Sequence, residues 1–186
     1  MARIFRPLCI SVIALSLAAC GSSTKTSAVS TDTTPGTLIT TPPLRIASLD
    51  AATFGAQLGA SATGAQLLQL AGTPTCGVDF YYIKYQTSGG AGETATASGA
   101  LMVPTGSAPA CSGPRPMLLY AHGTSTDKSY NIADITNTAN AEGALIAAVF
   151  AAQGYIVVAP NYAGYDSSSL AYHPYLNAAQ QSGEMI

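Results

Sequence analysis

Two short apolar runs, one helix length apart, constrain this chain more than any other feature. Residues 117–121 (Met-Leu-Leu-Tyr-Ala) lie between Pro116 and the turn-like His122-Gly123-Thr124, and residues 155–159 (Tyr-Ile-Val-Val-Ala) end at Pro160. Apolar runs of this length, closed by turn residues at both ends, read as strands buried on both faces. Between them, residues 139–153 are Ala-rich, with Leu145, Ile146, Val149 and Phe150 at core-facing helical spacings and Gly154 placed to stop a helix. A strand, a helix and a strand joined by short turns form a right-handed crossover, so the two strands are expected to be parallel. The expected fold class is α/β.

An antiparallel hairpin is expected ahead of this unit. Residues 80–87 carry Phe80, Tyr81, Tyr82, Ile83 and Tyr85, residues 88–92 are a Ser-Gly-Gly-Ala-Gly loop, and residues 94–103 alternate small and polar side chains. Cys76 precedes the first strand and Cys111 follows the second, so the pairing would bring the two thiols together as a disulfide. Still earlier, two short helices are expected, capped by Asp50 and Ser61 and with Gly72 ending the second. Residues from Tyr175 onward read as the start of another helix.

The N-terminus reads as an address. Arg3 and Arg6 precede an apolar stretch over residues 8–19, too short to span a bilayer as a helix. It ends in Leu17-Ala18-Ala19-Cys20-Gly21, which resembles a bacterial lipoprotein cleavage box. That resemblance implies a signal over residues 1–19, acylation of Cys20, and export to a bacterial membrane. Gly21, rather than Asp, after the Cys implies the outer membrane or its periplasmic face. Twelve of the 23 residues at 21–43 are Ser or Thr, and Pro35, Pro42 and Pro43 oppose helix, so residues 20–43 are expected to be a flexible tether. A domain would then begin at residue 44. The exported compartment is oxidising, which favours the Cys76–Cys111 disulfide. Only 9% of residues are charged, with a net charge of −2, which excludes a phosphate-binding surface and hence nucleic acid as a partner. With Cys9 in the signal and Cys20 acylated, the remaining two Cys and two distant His lack the spacing of a zinc site, so no metal or cofactor is expected.

The pair His122-Gly123-Thr124 and Asn161-Tyr162-Ala163-Gly164-Tyr165-Asp166, each at the end of a strand of the crossover, resembles the α/β-hydrolase superfamily. More narrowly it resembles bacterial esterases and lipases related to the secretory lipases. The resemblance implies a mostly parallel sheet and a carboxylic ester hydrolase with a serine nucleophile. It also implies a small-molecule ester or lipid substrate. Within it, the Thr124 amide donates to the oxyanion, Gly123 lets the backbone come close, and His122 orients the turn from beneath. The second turn departs from the superfamily pattern: Asn161 stands where an Asp is usual and Asp166 where a Gly is usual.

No Gly-x-Ser-x-Gly pentapeptide occurs in the chain. The resemblance therefore implies that nucleophile, acid and base lie beyond residue 186, and that residues 1–186 alone are inactive. A rival reading takes Ser125, Asp166 and His173 as a complete set in the order nucleophile, acid, base. Against it, a nucleophile elbow needs a helix starting at the Ser, and residues 126–131 read as loop. A different class also stays open: a non-catalytic surface lipoprotein that uses the same scaffold for binding.

Overall fold

The computed structural model describes residues 27–185. The expected signal and the acylation site at Cys20 lie outside these residues. The elements run in the order β1 (Ala28–Val29), β2 (Thr40–Thr41), β3 (Leu44–Leu49), α1 (Ala51–Gly59), α2 (Ala62–Ala71), β4 (Gly77–Ser88) and β5 (Thr94–Thr105). There follow α3 (Pro109–Ser112), β6 (Met117–Leu119), α4 (Glu142–Val149), a 3-10 turn (Ala151–Gln153), β7 (Ile156–Pro160) and α5 (Ala178–Gly183). Five strands form one sheet in the order β3-β4-β5-β7-β6.

The hairpin and the crossover both form as the sequence implies. β4 pairs antiparallel with β5 from Gly77↔Thr105 to Ser88↔Thr94, and β6 pairs parallel with β7. The Cys76–Cys111 disulfide closes the open end of the hairpin, with the two Cα atoms 5.5 Å apart. Asp50 and Ser61 cap their helices by accepting from the Thr53 and Gly64 amides, and Gly72 ends α2 at a φ of +80°.

The sheet is mixed rather than mostly parallel: β3-β4, β4-β5 and β5-β7 are antiparallel and β6-β7 alone is parallel. A parallel neighbour requires a crossover connection, and the described residues contain one. Residues 117–121 also differ from a strand buried on both faces. β6 stops at Leu119 and lies at the sheet edge, leaving Met117 70% and Leu119 42% exposed. With β7 on one side only, Leu118 is the β6 residue that packs against the main core. The helix expected from Ala139 starts at Glu142. The Asn137 side chain accepts from the Ala139 and Asn140 amides, and Asn140 accepts from Glu142 N–H. Those local bonds compete with the first helical turn and delay it.

Strand alternation divides the core in two. Val78, Phe80, Ala100, Met102, Val157 and Ala159 face α1, α2 and α4, and complete burial of a side chain such as Phe80 contributes about 2–3 kcal/mol. Ile83, Tyr85, Ala97, Leu101 and Val158 face the other way, where Leu38 packs on them. Leu38 belongs to the expected tether, and it is held there. Gly36 N donates to Gln86 O, Gln86 N to Thr37 O, and Ile39 N to Lys84 O, all at 2.8–2.9 Å. β3 ends opposite Tyr82, so residues 36–39 continue along the β4 edge and satisfy amides that would otherwise stay unpaired.

Candidate active site

β6 and β7 point the same way, so the turns that follow them emerge at one end of the sheet. Clefts in such sheets form outside the carboxyl ends of parallel strands. Here His122, Gly123 and Thr124 from the first turn meet Tyr162 and Tyr165 from the second, with His173, Tyr175 and Leu176, around a cavity of about 250 Å³.

The second turn is built as a scaffold. Asn161 is fully buried at the end of β7. Its Oδ1 accepts from Ile132 N–H at 2.8 Å, and its Nδ2 donates to Ser98 Oγ at 2.9 Å and to Asn131 Oδ1 at 3.2 Å. Asp at this position would only accept, and would leave Asn131 Oδ1 facing another acceptor, so the departure from the superfamily pattern suits its surroundings. Tyr162, Gly164 and Asp166 have φ of +66°, +93° and +46°. A Cβ on Gly164 would sit 2.2 Å from Tyr172 O, so only glycine fits there. Asp166 Oδ2 accepts from Tyr82 OH at 2.5 Å and from Ser98 Oγ at 2.6 Å, tying the turn's far end to the hairpin.

His122 joins the two turns. Its Nδ1 lies 2.6 Å from Gly123 O and its Nε2 lies 3.1 Å from Asn161 O. The ring is held between Tyr130 and Tyr162, with centroids 4.2 Å and 4.4 Å away. Burial holds its pKa below the ordinary histidine range, although both backbone contacts favour the charged form. Each ring nitrogen lies against a backbone oxygen, and the neutral imidazole donates to one of them, so this geometry suits an orienting residue better than a base. Behind it, Glu142 accepts from Tyr120 OH at 2.5 Å and Tyr130 OH at 2.8 Å, and burial and that carboxylate push Tyr120 up to about 12. Sequence reasoning missed Glu142; an acid in the first turn of α4 was the only local hint.

Gly123 and Thr124 differ from everything around them. Both line the cavity, both are exposed, and neither amide hydrogen-bonds to a described residue. Immediately afterwards the chain is pinned again, by Tyr165 OH donating to Ser125 O at 2.5 Å. A Cβ on Gly123 would meet no atom within 4 Å.

Ser125, Asp166 and His173 are not linked by hydrogen bonds. Ser125 Oγ accepts from Asp127 N at 3.2 Å, and Asp166 is occupied by Tyr82 and Ser98. His173 Nδ1 lies 2.8 Å from Ala163 O, and Gln181 Nε2 donates to its Nε2 at 3.2 Å. Ser125 and His173 do border a common cavity of about 300 Å³, but the first helix after Ser125 begins only at Glu142. Behind the second turn, Glu184 is buried, accepts from Ala163 N at 2.8 Å, and is pushed up to about 7 by that burial. Among the described residues no three His, Cys, Asp or Glu side chains gather as a ligand set for a metal.

The rice cell wall degrading esterase LipA from Xanthomonas oryzae is similar over 82% of this chain and 35% of its own, at 32% identity and a TM-score of 0.64. A ligand-bound form of that protein gives 81% and 35% coverage at 32% identity and a TM-score of 0.63. A putative hydrolase from Legionella pneumophila shares the fold, with a TM-score of 0.56 at 24% identity over 76% of this chain. The fold is α/β-hydrolase-like. This chain spans about a third of the length of the solved structures it matches. No family model and no curated protein sequence matches it.

Proposed function

We propose that this chain contributes the oxyanion-binding part of a carboxylic ester hydrolase, whose serine nucleophile comes from outside residues 1–186. One observation carries the reading: the Thr124 amide has no described protein partner and borders a cleft at the carboxyl end of a parallel strand pair. Ester hydrolysis builds negative charge on the carbonyl oxygen as the nucleophile adds. A backbone N–H fixed in place beforehand stabilises that charge without reorganising, and one such donor is worth about 3 kcal/mol. The surrounding bonds of His122, Asn161 and Tyr165 hold the turn fixed while leaving this amide for a ligand. The similarity to an esterase supports the same reaction class.

The test uses the full-length protein and a chromogenic short-chain ester. Turnover is expected, together with covalent labelling by a fluorophosphonate. Thr124→Pro, which deletes the amide hydrogen, should lower kcat by about 100-fold or more while circular dichroism stays unchanged. Ester turnover that survives Thr124→Pro in a folded protein would remove this amide from the mechanism. Turnover that depends on Ser125 would instead favour the rival set Ser125, Asp166 and His173.

From the resemblance of residues 17–21 to a lipoprotein cleavage box, we further propose that the protein is exported and anchored through acyl groups on Cys20 to a bacterial membrane. More than one chain would be needed for stable attachment. Cys20→Ala should release the protein from the membrane fraction and abolish palmitate incorporation.

A further inference from the structure

Among the described residues, three other than glycine hold a positive φ: Tyr162, Asp166 and Leu176, all on the segment that follows β7. For the first two, side-chain contacts offset the strain. Tyr162 is buried with its ring centroid 4.4 Å from that of His122, and Asp166 accepts from Tyr82 and Ser98. Leu176 differs. It has a φ of +59°, is 88% exposed, and belongs to neither apolar cluster of the core. A leucine in the left-handed region is costly because its Cβ crowds the backbone, and such outliers persist only where the surroundings fix them.

The surroundings do fix it. On one side the ring of Pro174 restrains its own φ, and Tyr175 N donates to His173 O at 2.8 Å. On the other, Asn177 N donates to Pro174 O at 3.2 Å. The Asn177 side chain donates to Gly90 O at 3.1 Å through Nδ2 and accepts from Gln180 N at 3.2 Å through Oδ1. The leucine held between these anchors lines the cleft that also contains Thr124. Among the described residues of that lining, Leu176 is the only aliphatic side chain; the others are polar, aromatic or glycine.

We propose that Leu176 is a specificity-determining residue, touching the acyl chain of an ester whose carbonyl oxygen is bound by the Thr124 amide, so that longer aliphatic acyl groups are preferred over acetyl. The inference rests on the ester-hydrolase reading and adds a residue and a substrate preference to it. The reaction selects the acyl half over the alcohol. With a serine nucleophile the alcohol leaves first, while the acyl group stays on the enzyme until water releases it. A side chain fixed relative to the oxyanion donor acts on the half that stays.

The experiment uses the full-length protein with p-nitrophenyl acetate, butyrate and hexanoate. In the unmodified protein kcat/KM should rise about twofold or more for each methylene added, within the roughly fourfold that complete burial of a methylene gives. Leu176→Gly and Leu176→Asn both accept a positive φ and both remove the aliphatic side chain. Each should flatten the series to within about twofold, mainly through KM, while the ratio between ethyl acetate and butyl acetate stays unchanged. Neither variant should lower the melting temperature, because strain is relieved and no core contact is lost. If Leu176 instead packs against another part of the full-length protein, both variants melt several degrees lower and the acyl series keeps its slope, which overturns the assignment. A steep series retained by variants of unchanged melting temperature, or a flat series in the unmodified protein, also overturns it but leaves the hydrolase reading standing. No turnover of any of these esters, with no fluorophosphonate labelling, overturns both.

Discussion

The turns after β6 and β7 lie side by side, yet they are built in opposite ways. In the turn after β7, Asn161 is fully bonded, three residues hold positive φ, and Ala163, Tyr165 and Asp166 each donate a backbone amide to a protein oxygen. In the turn after β6, two consecutive amides are left without such partners and the glycine between His122 and Thr124 sits in open space. Strain and buried hydrogen bonds are concentrated in the turn that supports, and accessible polar groups in the turn that presents. The presenting turn owes its rigidity to its neighbour, through His122.

The largest effect is expected at Asn161. Asn161→Leu removes three side-chain hydrogen bonds and leaves Ser98, Asn131 and the Ile132 amide without that partner in a buried site. Unmade bonds of this kind cost about 1–3 kcal/mol each, and they act here as one network, so a loss of about 3–5 kcal/mol is expected by urea denaturation of the full-length protein. A loss below about 1 kcal/mol would show that the second turn is not the scaffold.

Gly164→Ala is expected to cost about 2–4 kcal/mol. The residue holds a φ of +93°, and the new Cβ would meet Tyr172 O and the His173 backbone inside 3 Å. Thermal denaturation of the variant measures it, and no change would mean that the loop at 172–173 moves aside freely.

How much of this was legible beforehand follows from how far apart the partners lie. The crossover, the hairpin, the two helix caps and the disulfide rest on local patterns of apolarity, glycine and cysteine, and they can be read along the chain. The scaffold rests on partners such as Ser98 and Asn161, 63 residues apart, or Thr87 and Glu184, 97 apart, for which no local spacing gives a signal. The Ser/Thr-rich stretch misled for a related reason. Its composition correctly says that it cannot build a core, but Leu38 and Ile39 need only an existing strand edge to order against. His122 was legible as part of a turn, whereas its place between two tyrosines depends on Tyr130 arriving from the long loop before α4.

A smaller effect should appear as a pH dependence of the supporting turn. Burial raises Glu184 to about 7 from an ordinary value of 4.5, so the folded protein retains a proton that the unfolded chain releases. Its contribution to stability is full below about pH 4.5 and is lost as pH rises through about 7. The whole span is worth roughly 3 kcal/mol. Glu184→Gln keeps an acceptor for the Ala163 amide and removes the titration, so its stability should be flatter across that window than that of the unmodified protein. Parallel stability–pH profiles for the two proteins would show that buried Glu184 does not hold a proton at neutral pH.

The mildest substitution separates the two turns most sharply. Gly123→Ala places a methyl group where no atom lies within 4 Å, and Gly123 is not among the residues with positive φ. Stability should therefore change by less than about 0.5 kcal/mol, in contrast to the same substitution at Gly164. The methyl group would nevertheless sit in the lining of the cleft, where the proposed ester carbonyl must approach the Thr124 amide. Catalysis should fall several-fold in kcat/KM while the melting temperature stays within a degree or two. A variant with full activity would mean that the substrate passes the glycine at a distance. In that case the absence of a side chain at residue 123 would serve the turn rather than the ligand, and the two turns would differ less than their hydrogen bonds indicate.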